Sequence, residues 1–327
     1  MKETVWGIIG PGKIANKFAL ALKLVPGARL GAIASRDTQK GHAFAATHGV
    51  PQIYDNYAAL AADPAIQAVY VATPHGFHAE HALLCLRQGK AVLCEKPLAL
   101  SEWEVESMIA ASRQHGAFLM EAMWTRFTPL MGAVIELIGS GRIGLVKYIR
   151  ADFGFLSSFD PAGRLYNLRL GGGSLLDIGI YPLYLCLQLL GKPVKVTAAG
   201  RLSPTGSDET CHAILEFDGG ATGVVSSTLL CQTSLTAEIA GTEGMIRIPT
   251  PWYKNDRFEW NRTGEPAVVV EVEPMVNGFE YQIVEVMRCL EQVLIESPSL
   301  PHSFSLMMSK TMDAIRAQIG VRYENEL

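Results

Sequence analysis

Near the start of the chain, Gly10, Gly12 and Ala15 stand at the spacing G-x-G-x-x-A within Gly7-Ile8-Ile9-Gly10-Pro11-Gly12-Lys13-Ile14-Ala15. They follow a short apolar run and open a segment with Ile14, Phe18 and Leu22 on one helical face. In that setting the first glycine permits a tight turn and the second lets backbone approach a pyrophosphate. The small third residue keeps helix and strand close, and the helix start offers amides and a positive dipole to the phosphates. The pattern predicts dinucleotide binding. The next apolar run ends in Ala34-Ser35-Arg36, where NAD binders usually place an acid for the ribose 2′-hydroxyl. Ser35 and Arg36 can instead donate to a 2′-phosphate, and arginine suits bidentate phosphate contact, so NADP is expected over NAD. Asp37 keeps NAD open, because a strand end one residue later would bring a carboxylate near the ribose.

Two further stretches carry chemistry. Cys94-Glu95-Lys96-Pro97 lies at the carboxyl end of an apolar run, the edge from which open α/β sheets bind ligands. Gly171-Gly172-Gly173-Ser174-Leu175-Leu176-Asp177-Ile178-Gly179-Ile180-Tyr181 places an acid and a phenol four residues apart. In a helix both project from one face, although Pro182 would remove one backbone bond there. His75, His78 and His81 have the look of a metal cluster, but no fourth ligand is apparent, so they read as a helix start and no metal is expected.

The elements that position these residues change along the chain. Apolar runs at Thr4–Ile9, Arg29–Ala34, Ala68–Ala72, Ala91–Cys94 and Ala117–Met120 alternate with helical patterns, the clearest being Val105, Met108, Ile109 and Ser112 behind a Ser101/Glu104 capping box. Strands that are apolar throughout are buried on both faces, so this alternation implies a doubly wound parallel sheet. From Val194 the pattern becomes strand, turn, strand: Val194–Leu202, Cys211–Phe217, Ala221–Leu230, Leu235–Ala240 and Met245–Ile248, with a hairpin signal at Asp218-Gly219-Gly220. Two helical patterns, Phe279–Glu296 and Ser303–Ile319, close the chain. The expected fold class is α/β: an N-terminal Rossmann dinucleotide-binding domain over residues 1–122, then a C-terminal α+β domain with a mainly antiparallel open sheet over residues 123–327.

Composition agrees. At roughly 150 residues per domain, 327 residues suggest two domains. With 49% hydrophobic and 18% charged residues, wholesale disorder is excluded. A net charge of −4 without a basic run argues against a nucleic-acid partner. The longest apolar stretch, Tyr181 to Leu190, is interrupted by Pro182 and Gln188, so no membrane span is expected. The six scattered cysteines read as reduced, buried thiols, which fits a cytoplasmic protein.

Taken together, GIIGPGKIA, ATPHGFH at Ala72–His78, LCEKP at Leu93–Pro97, MEAMWTRF at Met120–Phe127 and GGGSLLDIGIYP at Gly171–Pro182 resemble the family of glucose–fructose oxidoreductases, inositol dehydrogenases and rhizopine-catabolism proteins. Within it the chain is most similar to the dimeric dihydrodiol dehydrogenases, which carry tyrosine where many relatives have histidine at the position of Tyr181. The resemblance implies that Lys96 and Tyr181 form an acid–base pair supported by Asp177, and that the Lys96-Pro97 bond is cis. It implies cofactor contacts from Gly10, Gly12, Lys13, Ile14, Ser35, Arg36, Thr73, Pro74, His78, Glu95 and Lys96. It further implies a substrate pocket lined or bordered by Trp124, Arg126, Phe153, Trp252 and Phe279, and a homodimer through the C-terminal sheet. The implied activity is hydride transfer between a carbinol carbon of a sugar, polyol or cyclic diol and a nicotinamide. Chemistry agrees, since a free phenol, with a pKa of about 10, is a poor base at neutral pH and an ammonium beside it would favour the phenolate. A non-catalytic dinucleotide sensor and a glycosidase using tightly bound NAD are the alternatives; a sensor would have no need of both Lys96 and Tyr181.

Overall fold

The computed structural model describes residues 3–323. They divide into two compact units, residues 3–127 with Asn277–Ser309, and Thr128–Val276 with residues 310–323. A single cut after residue 122 therefore does not capture the division, because a later segment returns to the first unit.

The first unit alternates strand and helix: β1 (Thr4–Ile9), α1 (Lys13–Leu22), β2 (Ala28–Ala34), α2 (Thr38–His48), β3 (Gln52–Tyr54), α3 (Tyr57–Ala62), β4 (Ala68–Val71), α4 (His78–Leu86), β5 (Ala91–Glu95), α5 (Glu102–His115) and β6 (Leu119–Ala122). The strands form one parallel sheet ordered β3-β2-β1-β4-β5-β6, so the order reverses beside β1 and β4. Every residue of β1, β4, β5 and β6 is buried, as strands covered on both faces must be. Asp37, Asn56 and Ser101 cap α2, α3 and α5 by accepting from the amides of Lys40, Ala59 and Glu104. Helix α1 starts at Gly12 with no side-chain cap.

Two differences from expectation have local causes. Strand β3 has only three residues, too short to stand out as a pattern. Strand β6 begins at Leu119 rather than Ala117, because Ala117 still belongs to the end of α5: its amide donates to the Ser112 carbonyl, and its own carbonyl accepts from Ser112 Oγ at 2.6 Å.

The second unit opens with α6 (Pro129–Gly139) and β7 (Val146–Gly154), followed by a π-helical turn at Leu175–Gly179 that runs into α7 (Ile180–Leu190). Then come β8 (Lys195–Leu202), β9 (Asp208–Glu216), β10 (Thr222–Thr228), β11 (Ala237–Gly241), β12 (Gly244–Ile248), β13 (Arg257–Arg262) and β14 (Val268–Glu271). The eight-stranded sheet runs β14-β13-β12-β11-β7-β10-β9-β8, antiparallel except for the parallel β7–β10 pair. The expected Asp218–Gly220 turn joins β9 to β10, with Gly219 and Gly220 both at positive φ. Strands β7, β13 and β14 escaped the sequence reading. Tyr148 and Arg150 of β7, Arg257 and Glu259 of β13 and most of β14 are exposed, so polar residues interrupt the apolar run.

The stretch Leu168–Leu190 is long and apolar enough to cross a membrane by composition, yet most of its apolar part is buried inside the protein. Its second half, α7, packs on β7 and β10, which accounts for its apolarity as core. The chain closes with α8 (Glu280–Glu291) and α9 (His302–Ile319). The returning segment extends the hydrogen bonding of β6, the Leu119 amide donating to the Ile295 carbonyl at 2.9 Å. All six cysteines are free, and five are buried; Cys231 is exposed, against the expectation.

Candidate active site

At the carboxyl edge of the parallel sheet, Gly10 turns the chain out of β1 with φ of +93°. A Cβ there would lie 3.1 Å from Thr73 Cγ2 and 3.2 Å from the Ala72 carbonyl oxygen, so the turn is pressed against the end of β4 and needs glycine twice over. At Gly12 a Cβ would meet no heavy atom within 4 Å. The space above Gly12 is open, and the first amides of α1, at Lys13 and Ile14, have no side-chain cap. Ala15 is fully buried against the sheet. An open cradle over an uncapped helix start is what a pyrophosphate requires, so the residues fit a dinucleotide.

At the end of β2, the Ser35 hydroxyl donates to the Asp37 carbonyl at 2.7 Å and accepts from the Asp37 amide, so it shapes the turn. The Asp37 carboxylate accepts from the Lys40 amide at 3.1 Å and pairs with Lys40 Nζ at 3.3 Å; these contacts hold its pKa below the ordinary value. Arg36 is exposed, its guanidinium 5.6 Å from the Phe77 ring centre and 5.9 Å from that of Tyr57. Neither aromatic was singled out from the sequence.

The loop after β4 is tied down by histidines. His78 is fully buried, with Nδ1 2.7 Å from the Pro97 carbonyl and Nε2 2.9 Å from the Thr73 carbonyl. Burial, opposed by those two bonds, holds its pKa at about 4. Thr73 Oγ1 meets His81 Nδ1 at 3.0 Å, and Pro74 precedes the 3-10 turn His75–Phe77. His78 thus bridges two loops. Among the described residues no group of three or more His, Cys, Asp or Glu is placed to hold a metal ion.

Lys96 is 9% exposed and follows β5 directly, with a cis bond to Pro97. Glu95 beneath it accepts from the Lys96 amide at 3.3 Å and from the Tyr70 hydroxyl. Burial raises the Glu95 pKa, opposed by Tyr70, Lys96 and Lys17. Trp124 and Phe279 are both buried, with ring centres 5.7 Å apart, and Lys17 Nζ stands 4.8 Å and 4.2 Å from those centres. Arg126 donates through Nε to the Ser299 carbonyl. Lys17, one helical turn beyond the glycine motif, gave no signal in the sequence because its partners come from distant segments.

In the second unit, Asp177 sits in the π-helical turn and Tyr181 in the first turn of α7, so the stretch is helical and its wider turn falls just before Pro182. Asp177 accepts from Arg164 at 2.7 Å, a partner the sequence did not suggest. Tyr181 is 7% exposed and lies beside Phe153, with ring centres 5.6 Å apart. Trp252, expected in the pocket wall, is fully buried with its indole N–H donating to the Asp152 carbonyl at 3.0 Å. Its neighbour Tyr253 instead stacks on Phe153 at 4.4 Å and lies 5.7 Å from Tyr181. Burial and the nearby Tyr181 raise the Tyr253 pKa.

The profile of the oxidoreductase family with an NAD-binding Rossmann fold matches residues 5–123, and that of the GFO/IDH/MocA C-terminal domain matches residues 131–247. The trans-1,2-dihydrobenzene-1,2-diol dehydrogenase of Xenopus laevis is 38% identical over 98% of this chain and 99% of its own length. Among solved structures, an aldose-aldose oxidoreductase from Caulobacter crescentus, crystallised with glycerol, is 26% identical with a TM-score of 0.89 over 97% of each chain. A 3-ketoreductase from Actinomadura kijaniata, crystallised with NADP and TDP-benzene, is 26% identical with a TM-score of 0.87 over 97% of this chain and 98% of that one. A Rossmann sheet bearing an open glycine cradle, followed by the matching second domain, makes this chain a member of the GFO/IDH/MocA family of nicotinamide-dependent oxidoreductases.

Proposed function

We propose that this chain is an NADP-dependent dehydrogenase moving a hydride between a carbinol carbon of a sugar, polyol or cyclic diol and the nicotinamide. The observation that carries this reading is Lys96, an ammonium on a buried turn at the same sheet edge as the glycine cradle. When bound, the nicotinamide supplies the hydride acceptor or donor. Tyr181 takes the hydroxyl proton as the C–H hydride leaves, so that the C–O bond becomes a carbonyl, and Lys96 stabilises the phenolate form. Asp177, paired with Arg164, orients the phenol. Phe153 and Tyr253 form an aromatic slab beside Tyr181 suited to the apolar face of a ring, which supports cyclic substrates. The similarity to dehydrogenases named for a cyclic trans-diol points the same way.

NADP is favoured over NAD because Asp37 is engaged by Lys40 while Arg36 lies exposed between Tyr57 and Phe77. The six free thiols suit a reducing, cytoplasmic compartment. A second copy of the chain is the proposed partner, docking on the exposed residues of the second sheet. There Arg150, Glu238, Arg247 and Glu259 alternate in sign across four strands in register, a pattern that an inverted copy can complement.

The test is a screen of trans-dihydrodiols, aldoses and inositols with NADP⁺ and NAD⁺, read as absorbance of the reduced nicotinamide. A steady rise with NADP⁺ and at least one ring substrate is expected. No net reduction with any of them would overturn the reading.

A further inference from the structure

The turn carrying Lys96 is held from below by buried side chains of several elements. Glu95 of β5 accepts the Lys96 amide, and His78 of α4 meets the Pro97 carbonyl. Cys94 Sγ lies 3.7 Å from the Leu98 carbonyl, and Glu121 Oε1 of β6 accepts the Leu98 amide at 3.0 Å. Glu121 is 2% exposed, and its second oxygen accepts from Ser305 Oγ of α9 at 2.7 Å. Both bonds come from neutral donors, in a place where a carboxylate is costly to bury. A serine or threonine could accept a lone amide, so a charged group here calls for a further reason.

We propose that Glu121 is a positioning residue for Lys96: its carboxylate, inserted beneath the turn that follows the lysine, fixes the Leu98 amide and with it the direction of the ammonium chain. This rests on Lys96 acting in the reaction proposed above. The charged groups facing Glu121 are Lys96 and Glu95, with His78 and Cys94 holding the same turn and His302 one helical turn before Ser305. Burial and Glu95 push the Glu121 pKa up to about 7, opposed by Ser305, Leu98 and Lys96. Protonation below that pH weakens the charge-assisted bond to Leu98 and removes a buried negative charge from beneath the turn. Turnover therefore falls on the acid side of neutrality.

The experiment follows kcat from pH 5.5 to 8.5 in wild type, Glu121→Gln, Ser305→Ala and Lys96→Met. Glutamine keeps shape and an acceptor for the Leu98 amide but carries no charge. It should lower kcat at pH 8 by about 3- to 10-fold, the scale of one charge-assisted bond, with KM for NADP and substrate held within about twofold. It should also flatten the limb near neutrality. Ser305→Ala leaves the carboxylate but deletes a donor that lowers its pKa, so the limb should move to higher pH while the alkaline plateau stays. Glu121→Gln with wild-type kcat and an unchanged limb would overturn the proposal, as would a limb unmoved by Ser305→Ala. Lys96→Met separates this from the parent reading: wild-type turnover by that variant overturns the role of Lys96 itself.

Discussion

Tyr181 and Arg36 are the residues on which the proposed chemistry and its cofactor choice turn, and each can be probed singly. Tyr181→Phe keeps the ring beside Phe153 and removes only the proton carrier. The expected loss in kcat is ~10²–10⁴-fold with nucleotide affinity unchanged, measured by steady-state kinetics and fluorescence titration; wild-type turnover would refute the role. Arg36→Asp should lower or invert the preference for NADP over NAD, read as the ratio of kcat/KM for the two cofactors. At this scale the sequence revealed residues bound to a local motif and hid those defined by distant partners. Gly10, Gly12 and Lys96 follow strands β1 and β5, so the motifs point to them. Arg164, Tyr253 and Lys17 acquire meaning only from Asp177, Phe153 and Trp124, which lie 13, 100 and 107 residues away. Tyr253 illustrates the difficulty, because nothing in its local sequence marks the ring that stacks on Phe153 and lies beside Tyr181.

Elements show a similar division. Strands buried on both faces carry nearly continuous apolar runs and were legible, whereas β7 and β13 alternate with charged residues and were not. The segment bearing Asp177 and Tyr181 is anchored by Asp208 of β9. Its Oδ2 accepts from Ser174 Oγ and the Leu175 amide, both at 2.7 Å. Asp208 is fully buried, and burial pushes its pKa up to about 6 despite those bonds. Gly173 beside it leaves no room for a side chain, since a Cβ would lie 2.2 Å from Asp208 Oδ1. Asp208→Ala removes the acceptor for two buried donors, so it should cost about 1–3 kcal/mol by denaturant titration. It should lower kcat more than nucleotide affinity, because the helix it anchors carries the phenol while the glycine cradle belongs to the first unit. Equal effects on both would argue against an anchoring role.

For the whole molecule, buried titrating groups oppose one another. The native pKa values of Glu121 and Asp208, about 7 and about 6, lie above the ordinary values of 4.5 and 3.8, so the folded state holds extra protons between those limits and gains stability as pH falls through them. His78 and His81, held at about 4 by burial against an ordinary 6.5, act the other way: the unfolded chain takes up protons first, and stability is lost as pH falls from about 6.5 to about 4. Melting curves of Glu121→Gln should therefore fall more steeply than wild type between pH 7 and 5; parallel curves would show that these groups do not set the acid response. Assembly is tested separately by light scattering, where replacing Glu238 with Arg should shift the proposed dimer toward monomer. The return of Asn277–Ser309 to the first unit has a consequence for biosynthesis. Leu119 and Glu121 of β6 bond to Ile295 and Ser305, which leave the ribosome more than 170 residues later. A nascent nucleotide-binding unit stays unfinished along that edge until those residues have been made, so a stop codon before Ser305 would leave Glu121 beneath the lysine turn without its serine donor.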